Sequence, residues 1–409
     1  MSIKIVRIFA VLLSVVLSLA IFVFLSIKTV EIEVPQSLRG NAPGDIVRVH
    51  RIGNYPAFAM RYVLGTVETT DPIDLNSGAV LYRLEYLTTQ FNGKLVTASG
   101  LVSIPRNKLA DSTVMYFHGT SAQRNSAPSS KGLGEGLLVS AAVNGMGSLL
   151  VAPDYIGLGQ SYDFHPYLHT ETVVSTSLDM LKASRKLVSI MGVEWPGALF
   201  LLGFSQGGHA TFAVQRELES MTNPEFQVTA SAPIAGAFQL RNISFPQALT
   251  GLTDSHEFYL GYMASAYSVI YNQRLNTILI DSYAEAIYPV YDGEHSTEEI
   301  AAVLPELPIE MFQQEFLDQY YGGESNWFLE ELAQNQVFDW TPKAPVRVYY
   351  GESDLDVSPQ EALDAAASMA KRGSDIMAIS VGPLDHDESA LASIPIALAW
   401  FRELDSSRY

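Results

Sequence analysis

An apolar strand that runs directly into a helix through a glycine-rich turn is the feature that most constrains this 409-residue chain. The strand reads ALFLLGF from Ala198, Ser205 stands at the turn, and the segment QGGHATFAVQRELE from Gln206 predicts the helix. Gly203 and Gly207 flank the serine, as a strained and tightly packed turn requires. A bare Gly-x-Ser-x-Gly pattern is common by chance. The strand–turn–helix context nevertheless predicts a nucleophilic serine rather than an ordinary turn.

Strands and helices alternate on both sides of this turn. Strands are predicted at 95–105, 112–117, 148–151, 198–204, 228–234, 346–350 and 376–381, and helices at 172–191, 206–218, 359–371 and 388–402. The Ser/Gly-rich segment 121–136 is predicted to be a loop. Apolar strands that alternate with amphipathic helices indicate an α/β fold with a mostly parallel sheet and helices on both faces.

The alternation stops between residues 237 and 343. This segment has 107 residues, whereas connections in α/β folds usually have about 2–6. It contains 18 aromatic residues, and its 16 acidic residues face only three basic ones. We therefore expect a helical cap or lid over the strand ends, where ligands bind in open α/β sheets. Residues 31–236 and 344–409 would form the catalytic domain.

Residues 1–30 have the pattern of a membrane segment. Lys4 and Arg7 precede an uncharged run of 20 residues, 8–27, which as a helix would span about 30 Å. We predict a signal anchor with the remainder of the chain outside the cytoplasm. A signal peptide cleaved near Ser18-Leu19-Ala20, which would leave a secreted or periplasmic protein, and a buried core helix remain the alternatives.

Composition excludes several classes of protein. The hydrophobic content of 48% is too high for a disordered chain. The absence of cysteine rules out disulfides, thiolate metal sites and a cysteine nucleophile. A net charge of −19 argues against a nucleic-acid partner, because phosphate-binding proteins need a basic surface.

A serine nucleophile needs a base and a third group that orients the base. In this fold class the acid and then the histidine follow the serine along the chain. Only His386 lies late enough, just after the last predicted strand. Asp354 follows the preceding strand and is the expected acid, with Asp356 as the alternative. Asp385 and Asp387 flank the histidine and are expected in a solvated loop.

The oxyanion of the transition state needs hydrogen-bond donors. The backbone N–H of Gln206, directly after the serine, is one predicted donor. The second is the N–H of Thr120 in the loop after strand 112–117, where Gly119 permits close approach of the backbone. His118 in the same loop is expected to be structural rather than the base, because the triad already contains a histidine.

The other histidines carry weaker signals. His165 and His169 are four residues apart, like a pair of metal ligands. Pro166 disfavours a helix there, and no further ligand motif accompanies them. No metal site is therefore predicted. His209 lies one turn beyond the serine and is expected to pack in the core.

Six segments carry a family resemblance. They are FHGT at 117–120, APDYIGLGQS at 152–161, HPYLHTE at 165–171, GFSQGGHA at 203–210, GESDLDV at 351–357 and LDHD at 384–387. On these residues the chain resembles the α/β-hydrolase superfamily and, within it, the secretory lipase family of lipase A-like enzymes. The resemblance covers about 110–236 and 344–402. The PDYxGLG element is its more selective marker, because Gly-x-Ser-x-Gly is shared by the whole superfamily.

The resemblance implies a site, which would comprise the triad Ser205, Asp354 and His386, the oxyanion donors Thr120 and Gln206, and the structural supports Asp154 and Tyr155. It also implies hydrolysis of carboxylic esters, including lipids, under a cap that forms the acyl pocket. The chain departs from the family in lacking cysteine and in keeping an apparent anchor, and both departures bear on free secretion rather than on chemistry.

The residues and the resemblance together predict a serine lipase or esterase that works through an acyl-enzyme and needs no cofactor. Its partners would be a small-molecule or lipid ester and, through residues 1–30, a membrane. A peptidase or acyltransferase on the same scaffold is the alternative. A catalytically silent binding protein is a third interpretation. The pattern leaves the chain length of the substrate, the mobility of the cap and the oligomeric state open.

Overall fold

The computed structural model of the protein describes residues 28–65, 77–106, 110–130, 134–222 and 224–407. The predicted membrane segment at 8–27 lies outside these residues. Within them, no helix has both the length and the apolar character needed to span a bilayer.

In the described residues, ten strands form one sheet in the order β1-β2-β3-β4-β6-β5-β7-β8-β9-β10. The strands are β1 Val30–Glu31, β2 Ile46–Tyr55, β3 Ala79–Thr89, β4 Leu95–Pro105, β5 Ser112–Phe117, β6 Leu149–Pro153, β7 Ala198–Phe204, β8 Val228–Ile234, β9 Val346–Tyr350 and β10 Ile376–Ser380. The pairs from β6 to β10 are parallel, and β1–β4 add an antiparallel half. The α/β architecture predicted from the alternating pattern is therefore confirmed.

Twelve α-helices of the described residues accompany the sheet. They are α1 Ala57–Leu64, α2 Glu135–Gly145, α3 Thr170–Ile190, α4 Gln206–Ser220, α5 Phe245–Ala248, α6 His256–Ile270, α7 Asp281–Ile287, α8 Thr297–Ala301, α9 Gln314–Tyr321, α10 Trp327–Gln334, α11 Pro359–Lys371 and α12 His386–Ser406.

The central strands are buried on both faces, which explains their nearly continuous apolar sequences. All six residues of β5 are buried. Their side chains alternate, so that Val114 and Tyr116 enter one core cluster while Met115 and Phe117 enter the other. Two helical layers can cover such a sheet. Because β5, β7 and β9 run in the same direction, their carboxyl ends lie along the same side of the sheet.

Some boundaries differ from the sequence predictions. Helix α12 begins at His386 rather than Glu388, because Asp385 caps it in a reciprocal capping box with Glu388. The predicted loop 121–136 ends earlier, since α2 starts at Glu135, where an acidic first-turn residue suits the helix dipole. Strands β2 and β3, which pair with each other over most of their length, were not predicted from the sequence.

The long segment between β8 and β9 is helical in its described elements, α5 to α10, as its patterning predicts. Most of its aromatic residues belong to one hydrophobic cluster around Phe245, Tyr267 and Phe328, which Tyr167 and Leu168 join from outside the segment. Glu361 of α11 holds the start of the segment by hydrogen bonds. Its buried carboxylate accepts them from the backbone N–H groups of Phe238 (3.1 Å) and Gln239 (2.8 Å).

Candidate active site

Ser205 stands at a strained turn between β7 and α4. Its backbone has φ 56° and ψ −117°, a conformation that costs energy for a residue with a side chain. The neighbouring glycines are required by close packing. A Cβ on Gly203 would lie 2.1 Å from the carbonyl oxygen of Gly207, and one on Gly207 would lie 1.9 Å from that of Phe117. The predicted small residues therefore have a steric reason.

The structure brings the three predicted triad residues into one hydrogen-bonded line. The Oγ of Ser205 lies 2.9 Å from Nε2 of His386, and Nδ1 of His386 lies 2.7 Å from Oδ2 of Asp354. All three side chains are buried. They come from three separate carboxyl-end connections of the parallel sheet, those after β7, β9 and β10, which is why residues 181 and 32 positions apart meet.

Local backbone contacts orient the acid. The second carboxylate oxygen of Asp354, Oδ1, accepts hydrogen bonds from the N–H groups of Asp356 (3.0 Å) and Val357 (2.9 Å). Because these donors hold Oδ1, only Oδ2 faces His386. The carboxylate is therefore fixed in the one orientation that supports the imidazole.

The pKa of His386 reflects two opposing effects. Burial acts to lower the pKa, but the hydrogen bond that the ring donates to Asp354 and the charge of that carboxylate outweigh it and raise the pKa above its usual 6.5. The paired carboxylate therefore stabilises the imidazolium. A histidine of this kind can take a proton from the serine hydroxyl and hold it.

The alternative acids are used elsewhere. Asp356 accepts a hydrogen bond from the Thr253 hydroxyl, which fixes the loop after the acid rather than the histidine. Asp385 caps α12, so it is a helix-capping residue and not simply a solvated loop residue as expected. Asp387 is exposed at the rim of the cavity beside His386.

Both predicted oxyanion residues lie near the serine. Gln206 is the first residue of α4, so its N–H has no acceptor within the helix. Thr120 lines the same cavity as Ser205 and His386. This cavity has a volume of about 460 Å³, and residues 254–259 of the helical insertion form part of its wall. An electrophilic carbon could therefore reach the serine with donors beside it.

A second, much smaller cavity of about 40 Å³ also borders Ser205. Apolar side chains from the insertion line part of it, including Ala248 and Met263. The serine thus borders both a wide, more polar cavity and a narrow, more apolar one.

Two elements implied by the family resemblance support the loop 118–120. Asp154 is buried and accepts hydrogen bonds from the Ser99 hydroxyl (2.6 Å) and the Ser129 N–H (2.8 Å). Burial raises the pKa of Asp154, although its hydrogen bonds act in the opposite direction. The hydroxyl of Tyr155 donates to the carbonyl oxygen of His118 at 3.1 Å. His118 itself contacts carbonyl oxygens through both ring nitrogens, as expected of a structural residue.

Three further histidines are buried and neutral. Burial lowers the pKa of His165, His169 and His209 to about 4. His169 contacts the Thr172 hydroxyl (2.7 Å) and His209 the carbonyl oxygen of Asn335 (2.8 Å). No group of three or more metal-ligating side chains gathers anywhere in the ranges that the structure describes.

Sequence reasoning missed one contact at the site. The Nε2 atom of His165 lies 3.0 Å from Nε2 of Gln206, the residue that follows the serine. The HPYLH segment was a visible signal, but its spacing of four only resembled a metal pair, which was not predicted, and gave no sign of this contact. A contact across 41 residues is created only by the fold.

Comparisons with known proteins identify the family and the fold. The sequence model of the Secretory lipase family matches residues 132–405. None of the curated proteins compared with the chain gives a match. A candidate hydrolase from Legionella pneumophila has a similar structure, with a TM-score of 0.83, 26% identity, and coverage of 88% of this chain and 98% of the other.

Two further structures share the fold. One is a ligand-bound form of the rice cell wall degrading esterase LipA from Xanthomonas oryzae, with a TM-score of 0.77, 23% identity, and coverage of 88% and 97% of the two chains. The other is Candida antarctica lipase A in its closed state, with a TM-score of 0.66, 15% identity, and coverage of 91% and 84%.

Proposed function

We propose that this chain, which belongs to the Secretory lipase family and is a carboxylic ester hydrolase, cleaves its substrate through Ser205, His386 and Asp354. The observation that carries the proposal is the line of two hydrogen bonds, 2.9 Å from serine to histidine and 2.7 Å from histidine to aspartate. It supplies the nucleophile, base and orienting acid that acyl transfer requires.

In the first half of the reaction, Nε2 of His386 takes the proton of the Ser205 hydroxyl as its oxygen attacks the ester carbonyl carbon. The C–O bond to the alcohol then breaks, and the imidazolium returns the proton to the departing alkoxide oxygen. An acyl ester on Ser205 remains. Asp354 stabilises the charged imidazolium through Nδ1 while the proton is held.

In the second half, a water molecule replaces the alcohol. His386 removes one of its protons as the water oxygen attacks the acyl carbon, and then protonates the serine oxygen as that bond breaks. The products are the carboxylic acid and the free serine. In both halves the N–H groups of Gln206 and Thr120 would hold the negative oxygen of the tetrahedral intermediate.

The substrate would be a small-molecule or lipid ester that enters the cavity of about 460 Å³. The rim of this cavity carries the exposed carboxylates of Asp254 and Asp387, while Phe258 and Tyr259 add aromatic surface. The wide cavity beside the serine therefore suits a partly polar group of the substrate.

A fluorophosphonate probe tests the serine chemistry directly. We expect folded protein to gain one adduct at Ser205, with a labelling rate that falls as pH drops through the raised pKa of His386, because only the neutral imidazole can accept the serine proton. Peptide mass spectrometry identifies the site, and the rate is measured from pH 5 to 9. Labelling at another residue, or a rate that is flat across this range, contradicts the proposal.

Membership of a secretory family indicates an exported protein, and we propose in addition that residues 8–27 anchor it. The basis is the 20-residue uncharged run behind Lys4 and Arg7. After alkaline extraction of membranes, the full chain should stay in the pellet and a variant lacking residues 1–30 should be soluble and active. Recovery of a chain shortened near Ala20 from the medium would instead indicate a cleaved signal peptide.

A further inference from the structure

The loop formed by residues 165–167 contacts both residues that are proposed to hold the oxyanion. We infer that His165 and Tyr167 are positioning residues, His165 for Gln206 and Tyr167 for Thr120, so that one loop sets the geometry of both donors. The inference rests on the proposed function of the site. It gives the HPYLH segment a role that neither a metal pair nor simple packing explains.

The contact of His165 has a defined direction. Its Nδ1 lies 2.7 Å from the carbonyl oxygen of Ile156, so Nδ1 carries the hydrogen and donates it. Nε2 of the neutral ring then offers a lone pair, which accepts a hydrogen bond from the side-chain amide of Gln206 at 3.0 Å. Burial keeps the ring neutral, because it lowers the pKa of His165 to about 4.

The contact with His165 is the hydrogen bond that holds the side-chain amide of Gln206. Among the described residues, Oε1 of the same Gln206 amide is buried without a hydrogen-bond partner. His165 therefore fixes the side chain of the residue whose backbone N–H faces the reaction. Both side chains are buried, so water does not compete for the bond.

The contact of Tyr167 reaches the other donor. Its hydroxyl lies 2.8 Å from Oγ1 of Thr120, and its ring is buried. Burial raises the pKa of Tyr167, so the hydroxyl stays protonated and can donate throughout the neutral range. Thr120 itself follows Gly119 in an irregular loop, where few regular backbone bonds fix its position.

Behind Tyr167 stands a stack of tyrosines from the insertion. The rings of Tyr167 and Tyr262 are parallel within 8° with centroids 4.4 Å apart, and Tyr262 and Tyr291 stack at 4.5 Å. The Tyr262 hydroxyl also donates to the carbonyl oxygen of Ser121 at 3.3 Å. The ring of Tyr167 is thus held in place by packing, and its hydroxyl is the part that acts on Thr120.

The energetic reason is that oxyanion donors work only when they are aimed before the charge develops. A displacement of about 1 Å can lower a rate by about a hundredfold. Loss of a positioning bond should therefore reduce kcat while leaving KM almost unchanged, because the ground-state ester does not need the same alignment.

Tyr167→Phe tests the contact between Tyr167 and Thr120 against a matched control, Tyr291→Phe. Both variants remove one buried hydroxyl from the same ring stack, but the Tyr291 hydroxyl bonds the carbonyl oxygen of Phe258 at 2.8 Å and touches neither donor. We expect Tyr167→Phe to lower kcat about tenfold with KM within about twofold, and Tyr291→Phe to remain within about twofold in kcat.

His165 is tested with two amides. His165→Asn can keep a donor near Ile156 but cannot reach Gln206, whereas His165→Gln extends an acceptor to the former Nε2 position. We expect kcat to fall about tenfold or more in His165→Asn and to recover at least in part in His165→Gln. A role confined to core packing would instead make the two variants similar.

The specific readout is the ratio of rates for an ester and the matching thionoester, whose sulfur is a weaker hydrogen-bond acceptor. Well-placed donors favour the oxygen ester, so the ratio should fall in Tyr167→Phe and His165→Asn and stay at the wild-type value in Tyr291→Phe. The inference is wrong if Tyr167→Phe and Tyr291→Phe match in kcat and in this ratio. Ser205→Ala distinguishes failure of this inference from failure of the proposed function. Activity that survives in Ser205→Ala overturns the proposed function itself.

Discussion

Ser205→Ala should lower kcat for a short p-nitrophenyl ester by about 10⁶-fold, the largest effect expected of any single substitution in this chain. Alanine has no oxygen to attack the ester, and His386 and Asp354 then have no serine proton to move. The remaining rate would come from the cavity and the oxyanion donors alone. Steady-state hydrolysis over a wide range of enzyme concentration measures the loss.

The fold should survive this substitution. Alanine occupies the positive-φ position with no more strain than serine, and the change removes one buried hydrogen bond, typically worth about 1 kcal/mol. Thermal unfolding should show at most a small shift. Ser126→Ala is the matched control, because Ser126 lines the same cavity and is exposed without touching the triad. It should keep wild-type kcat within about twofold. Residual activity of Ser205→Ala within tenfold of wild type would exclude Ser205 as the nucleophile.

The nucleophile turn could be predicted because its requirements are local. A strained serine needs glycine neighbours, and the strand and helix on either side are adjacent in sequence. Gly207 shows the limit of such reasoning. Its need for glycine was predictable, but the atom that enforces it belongs to Phe117, ninety residues earlier in the chain.

The antiparallel half of the sheet could not be predicted in the same way. Strand β2 pairs with β3, and β3 also pairs with β4. The sequences of both strands mix apolar with charged residues such as Arg48 and Glu85. Strands with such a mixed composition carry a weaker pattern than the apolar central strands. Helix α6 of the insertion likewise departs from a simple amphipathic pattern, because it begins with the buried polar residue His256. The Nε2 atom of His256 lies 3.1 Å from the carbonyl oxygen of Leu355.

Within the triad the acid was the hardest residue to assign from the sequence, since Asp354 and Asp356 lie two residues apart after the same strand. Distance separates them in the structure, because Asp354 contacts His386 at 2.7 Å while Asp356 bonds Thr253. Their roles remain a proposal that substitution can test, and the architecture of the loop makes the test unusually sharp.

Asp354→Asn should lower kcat by about 10⁴-fold. The N–H groups of Asp356 and Val357 already hold Oδ1, so the asparagine oxygen would take that place and its NH₂ group would face His386. A donor opposite Nδ1 forces the ring hydrogen onto Nε2, where it points at Ser205 and blocks proton removal. The imidazole stays in place but in the wrong tautomer.

The size of the loss distinguishes this mechanism from simple misfolding. Asp354→Asn conserves the shape of the side chain, so the thermal midpoint should move little although activity falls about 10⁴-fold. The pKa of His386 should also fall towards and below 6.5, because the charge that raises it is gone, and NMR titration of the imidazole can follow it.

Asp356→Asn is the control that decides between the two carboxylates. Asparagine at this position keeps an oxygen to accept from the Thr253 hydroxyl, and the backbone N–H that supports Asp354 is unchanged. We expect kcat within about threefold of wild type. If Asp356→Asn instead loses about 10⁴-fold and Asp354→Asn does not, the histidine takes its support from Asp356 during turnover. The hydrogen bond to Asp354 would then belong to a resting arrangement of the loop.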